Sequence, residues 1–257
     1  HGAEGRQALA DELAILQPRE IIAPEGDQDA AALVAEVRLN ARVTYAAPWT
    51  FDQVSARQTL LEQLRAQSLA GFGLEDRPAA VRAAGALVHY LRDTQKADLA
   101  HVREIAFRAG ADCLVVDATT LRNLEVLESV DGGATGSLLV EIDRTMTSMG
   151  GRLLRAWLLR PLVALERIQD RLDAVEELAF RSTERAKLRE TLKTIHDVER
   201  LVARASLGIA GPRDLVALRQ SIATVPRVRM LLSDQQSPLI QSLVAELDDL
   251  ADLRDEL

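Results

Sequence analysis

Cysteine occurs once, at Cys113, so no intrachain disulfide can form and no cysteine-rich zinc or iron–sulfur site can be assembled. A single thiol fits a reducing compartment. No apolar run approaches the roughly 20 residues that a bilayer-spanning helix needs, which excludes an integral helical membrane protein. The opening stretch, HGAEGRQALADEL, has no apolar core of the kind a secretory signal carries. Aromatic residues are only 3% of the chain, which makes Trp49 and Trp157 core anchors before ligand platforms. Lysine is scarce too: Lys96, Lys187 and Lys193 are the only three.

What is present is enough for a core. The 257 residues are 47% hydrophobic and 27% charged, the balance of one large or two ordinary globular domains. Net charge is −8, unevenly spread. Between Arg144 and Arg229 there are 17 Lys and Arg against 10 Asp and Glu, while the remainder holds 14 bases against 29 acids. An acidic envelope around a mildly basic middle is a poor footprint for autonomous duplex binding. Because the bases are mostly arginine, ion pairs on helix faces account for the basic stretch.

Two regimes follow one another along the chain. Within residues 1–48, Ala8, Leu9, Leu13 and Leu16 repeat at helical spacing up to Pro18, and Ile21-Ile22-Ala23 is a short apolar run ended by Pro24. A second helix fits Asp27 to Val37, with Asp27 as cap, and Arg42 to Tyr45 fits a strand. That order predicts part of an α/β domain. After Pro48 the pattern is almost wholly helical. Phe51, Val54, Leu61 and Leu64 line one face of a helix that Gly71-Phe72-Gly73 ends, and Pro78 opens the next, with Val81, Ala84, Val88 and Leu91 on one side. Leu114-Val115-Val116 and Leu124-Glu125-Val126 are strand candidates. Helices follow through Leu165–Leu178, Leu188–Val202, Leu215–Val225 and Leu239–Leu253, with Pro226 a break or kink. The last pattern is still running at Leu257, as though the sequence were cut within a helix.

Site templates find little. Gly132-Gly133-Ala134-Thr135-Gly136-Ser137 is the nearest approach to a phosphate loop, but it lacks the lysine that reaches the β and γ phosphates, and reads as a turn. The histidines His1, His89, His101 and His196 are too scattered to ligate a metal. His196 beside Asp197 tempts an acid/base reading, yet adjacent residues do not face each other on a helix. Asp197 with Arg200 and Arg204 gives a structural explanation instead, and His196 is then a surface residue. Cys113, ahead of an apolar run, reads as a small buried hydrophobe. No catalytic, cofactor-binding or metal-binding residue is assigned.

The residues that carry information lie between the helices. Gly71-Phe72-Gly73-Leu74-Glu75-Asp76, Ala83 to Leu91, Thr94-Gln95, and Asp117 to Glu125 with its Arg-Asn-Leu-Glu stretch form one set. Ser137-Leu138-Leu139, Asp143 to Gly150, Arg152 to Leu162, Ile168 to Val175, Asp197 to Leu201 and Pro212 to Leu215 form another. In order, from about Leu9 to Leu218, these runs resemble the bacterial DNA mismatch-repair family MutS. On the residues alone, Thr147 or Ser148 can cap the helix carrying Trp157, and Gly150-Gly151 permit a close approach. Leu153, Leu154, Trp157 and Leu158 give that helix a buried side, and Pro161 ends it.

The resemblance implies a mainly α protein: residues 1–48 as the end of a connector-like α/β domain, and 49–257 as a helical core or lever domain truncated before the clamp. The wedge motif Phe-x-Glu and a Walker A loop are absent, so the resemblance implies a segment without catalysis and without a cofactor of its own. ATP and Mg would belong to a full-length ATPase parent. By the same resemblance, the chain would link mismatched DNA to the nucleotide state within a cytoplasmic parent. That parent is expected to be a homodimer on duplex DNA with a MutL-type partner, and the other parent domains would be this chain's direct partners. The isolated chain is expected to bind DNA weakly and no membrane. A free-standing helical adaptor for protein–protein contact is the alternative, and an enzyme using His196 or Asp143 is a weak third.

Overall fold

In the computed structural model, which describes residues 2–37, 39–95, 99, 102–105 and 113–257, the chain forms two compact units, His1–Ala109 and Gly110–Leu257. His1, Lys96 and His101 lie outside the described residues. The change of regime at residue 48 is therefore no unit boundary. The helices after Pro48 build the core of the same unit that holds the sheet.

In the first unit, helix α1 (Gly2–Leu16) stops where Gln17 turns left-handed ahead of Pro18. Strand β1 (Glu20–Pro24), helix α2 (Asp29–Glu36) and strand β2 (Arg42–Ala46) follow, the strands pairing in parallel from Glu20 beside Arg42 to Pro24 beside Ala46. A helix between two parallel strands is the expected crossover unit. Asp27 starts α2 as anticipated, its Oδ1 accepting from the Asp29 and Ala30 amides at 2.9 and 3.3 Å.

Helices α3 (Gln53–Leu64) and α4 (Pro78–Gln95) supply the core: Ala56, Leu60, Val81 and Val88 pack with Leu69, Leu74 and Leu99. The stripe on α3 is thus centred on Ala56 and Leu60, and Val54 is exposed. The helix also ends earlier than its glycines suggest, at a left-handed Arg65, while Ala70–Phe72 forms a separate 3-10 turn. Gly85 marks the crossing of α3 and α4. A Cβ there would sit 2.5 Å from the Ala56 Cα and Cβ and 2.6 Å from its carbonyl oxygen, distances only glycine permits.

The second unit is helical: α5 (Ala118–Asn123), α6 (Leu138–Ile142), α7 (Ser148–Leu159), α8 (Leu165–Phe180), α9 (Ser182–Leu192), α10 (Val198–Ser206), α11 (Pro212–Leu232), α12 (Pro238–Glu246) and α13 (Ala251–Glu256). Neither strand candidate forms a strand. Cys113 makes one antiparallel bridge to Leu162, and Val115 is exposed. Glu125 adopts a positive φ of 51°, and its carbonyl and that of Val126 instead accept from the Leu138 and Leu139 amides, at 2.9 and 3.0 Å.

Two apolar runs expected as single helices are each broken by local side-chain bonds, which compete with the helix ladder. Between α9 and α10, Thr194 bonds back to the Thr191 carbonyl at 2.8 Å and Asp197 starts a new helix. Between α12 and α13, Asp248 accepts from the Leu250 amide at 2.9 Å while Leu250 turns left-handed. Pro226, by contrast, does not end its helix. α11 runs through it, held by contacts with α9, α10, α12 and α13 that outweigh the lost backbone bond.

Candidate interhelical coupling site

Helix α7 opens on a capped turn. The Thr147 hydroxyl accepts from the Gly150 amide at 3.0 Å, as its position before the apolar run predicts. The nearest neighbours of a Cβ added at Gly150 or Gly151 are the Thr145, Thr147 and Asp143 side chains, so their smallness serves this loop.

Arg152 is the fifth residue of α7, at the start of its second turn, and a partly buried guanidinium there needs carboxylates to answer it. They do. Both of its terminal nitrogens bond Asp197, at 2.6 and 2.8 Å, and one also bonds Glu199 at 2.5 Å. Asp197 is the cap of α10, accepting from the Arg200 amide at 3.3 Å, and its other oxygen lies 3.5 Å from the Arg200 side chain. One half-buried carboxylate thereby fixes the start of α10 against the start of α7. The Arg152 hydrogen bonds hold the Asp197 carboxyl down to about 2, against partial burial that pushes it up, and they hold the Arg152 guanidinium charged.

The segment leading into α10 is secured from a third helix. The buried Ser221 hydroxyl of α11 accepts from the His196 amide at 3.0 Å and donates to the Ala217 carbonyl at 2.8 Å. His196 is exposed, as expected, and takes part through its backbone. Arg204, grouped by spacing with Asp197, pairs instead with Asp214 of α11 at 2.9 Å. Nothing in local spacing links residue 152 to residue 197.

Both tryptophans are more exposed than core anchors should be. Trp157 is 40% exposed and carries the Arg171 guanidinium 3.6 Å from its ring centroid. Leu153 is exposed as well, and Leu159 is the buried residue of α7. Trp49 meets the His89 ring edge-on at 4.8 Å, and His89 Nδ1 lies 3.2 Å from Asp93. Cys113 is half-buried. Asp143 accepts from the Thr145 amide at 2.8 Å, a loop-closing bond that lowers its pKa.

Residues 132–137 do not fit a phosphate or Mg site. Ser137 is fully buried and its hydroxyl accepts from the Val140 amide, and no lysine follows it. Among the described residues no cluster of three or more His, Cys, Asp or Glu could hold a metal, and no helix is long and apolar enough to cross a membrane. The first unit carries a cleft of about 690 Å³ whose lining is mainly apolar, including Leu9, Leu13, Ile21 and Leu33, with Arg6, Asp27 and Asp29 among its charged residues.

Comparison with known proteins accounts for both units. Residues 1–103 match the family model of MutS domain II, and residues 119–256 that of MutS domain III. The DNA mismatch repair protein MutS of Myxococcus xanthus is 43% identical over 99% of this chain, and that of Symbiobacterium thermophilum is 40% identical over 99%. The MutS of Synechococcus elongatus is 42% identical over 96%. The chain spans only 29–30% of the length of these relatives. With both domains matched in order along nearly all of its length, the chain belongs to the MutS family, as a segment made of its domains II (connector) and III (core).

Proposed function

We propose that this segment is a non-catalytic mechanical link, transmitting the nucleotide state of a full-length parent to its grip on mismatched duplex DNA. The observation that carries the reading is the Arg152–Asp197–Glu199 clamp, which joins the second turn of α7 to the start of α10 within a segment matched to the connector and core domains. Discrete ion-paired contacts between rigid helices suit coupling, because packed helices shift between defined arrangements. ATP and Mg bind elsewhere in the parent on this reading, which acts in the cytoplasm as a homodimer with a MutL-type partner.

The test uses the full-length protein. Mismatched-duplex affinity is measured with and without ATP for wild type and for Arg152→Ala. The ratio of the two affinities should fall toward one in the variant while ATP and duplex still bind. An unchanged ratio in a folded variant would sink the proposal. Complete loss of ATP binding would put this helix in the nucleotide site itself.

A further inference from the structure

A carboxylate has about four lone-pair positions, and at Asp197 each is answered. Oδ1 accepts from Arg152 Nη2 at 2.8 Å and from the Arg200 amide at 3.3 Å. Oδ2 accepts from Arg152 Nη1 at 2.6 Å and faces Arg200 Nε at 3.5 Å. The last contact is the loose one. The Arg200 side chain is 77% exposed against 17% for Asp197, so one arginine grips the carboxylate while a second stands beside it in solvent.

The start of α10 keeps Arg200 in that place. Arg200 is the third residue of the helix, and a side chain there reaches back toward the cap. A cation in a first turn opposes the helix dipole, and Asp197 is the one carboxylate that the Arg200 side chain approaches among the described residues. Nor does the helix start depend on α7. Asp197 caps it from within, Glu199 is an acid in its first turn, where the dipole favours one, and Ser221 holds the His196 amide.

We propose that Arg200 is the reserve partner of Asp197: when Arg152 withdraws, the Arg200 guanidinium closes on the freed oxygens, and α7 parts from α10 without unravelling it. A half-buried carboxylate left alone would be strongly unfavourable, and the exchange of one arginine for another avoids that state. The clamp then has two defined arrangements, closed on Arg152 or closed on Arg200, as a contact between moving helices requires. The exchange deepens the mechanical reading given above and rests on it for its purpose. Its test needs neither nucleotide nor DNA, so its failure and the failure of that reading are separate results.

The test is a double-mutant cycle on the 257-residue chain, read by urea midpoints. Arg200→Ala alone should barely move the midpoint, as for other exposed pairs, and in the Arg152→Ala background it should lower it about twice as far or more. Carboxyl-carbon NMR of Asp197 supplies a readout that a purely structural role would not move. In Arg152→Ala the carboxyl should still titrate below its ordinary 3.8, and it should reach or pass that value only when both arginines are gone. Should Arg152→Ala not fold, Arg152→Gln, which keeps a hydrogen-bonding amide without the charge, replaces it in both measurements. Additive midpoint shifts overturn the proposal, and so does an Asp197 carboxyl that returns to 3.8 or above while Arg200 is intact.

Discussion

Arg152 and Asp197, 45 positions apart, meet through both terminal guanidinium nitrogens, and the same carboxylate caps the helix that follows it. A forked pair of this kind fixes direction as well as distance.

Acid should open that contact in a defined window. The Asp197 carboxyl is depressed from 3.8 to about 2, so its stabilising contribution is fully present above the unfolded value and is lost as pH falls through the folded one. Urea midpoints measured from neutral pH down to about pH 2 should decline more steeply for wild type than for Asp197→Asn between those values. Parallel curves would show that the pair contributes nothing to stability.

Gly85→Ala inverts the usual rule for helices. On an open helix face the change would stabilise by about 1 kcal/mol, but here the new methyl meets the Ala56 backbone, which cannot swing aside. A loss of about 1–3 kcal/mol is expected from overpacking. A midpoint at or above wild type would mean that α3 and α4 can separate without cost.

Ser221→Ala should cost more than His196→Ala, although histidine is the residue with the reactive side chain. Ser221 is buried, and its loss leaves the His196 amide unanswered at a cost of about 1–3 kcal/mol. His196→Ala removes an exposed ring and should stay within about 0.5 kcal/mol. The reverse order in urea melts would show that the imidazole carries structure.

Trp157→Ala is expected to fall below the roughly 3–5 kcal/mol that deletion of a fully buried tryptophan costs, since two-fifths of the residue is already in water. A larger loss would reveal that the Arg171 stack carries more than packing does.

These cases mark how far the amino-acid sequence reaches. Helical spacing located α1, α4, α7 and α8 well, because an apolar face leaves a period whether or not anything covers it. It failed on what does the covering: Leu165, Leu172 and Val175 share a face of α8 that remains exposed, as Trp157 does on α7. Caps were legible at Asp27 and Thr147, where donor and acceptor are two or three residues apart. The Arg152–Asp197 clamp was not, since it depends on how two distant helix starts come together. The breaks at Thr194 and Asp248 were missed for the opposite reason, being local side-chain bonds inside an apolar period that runs straight through them.

The bond from the His196 amide to Ser221 has a consequence for variation. What α11 grips at this point is the polypeptide itself, and the imidazole is a passenger. A library saturated at position 196 should therefore accept nearly every amino acid with little change in folding. Proline alone should be purged, since it lacks the one hydrogen that Ser221 requires.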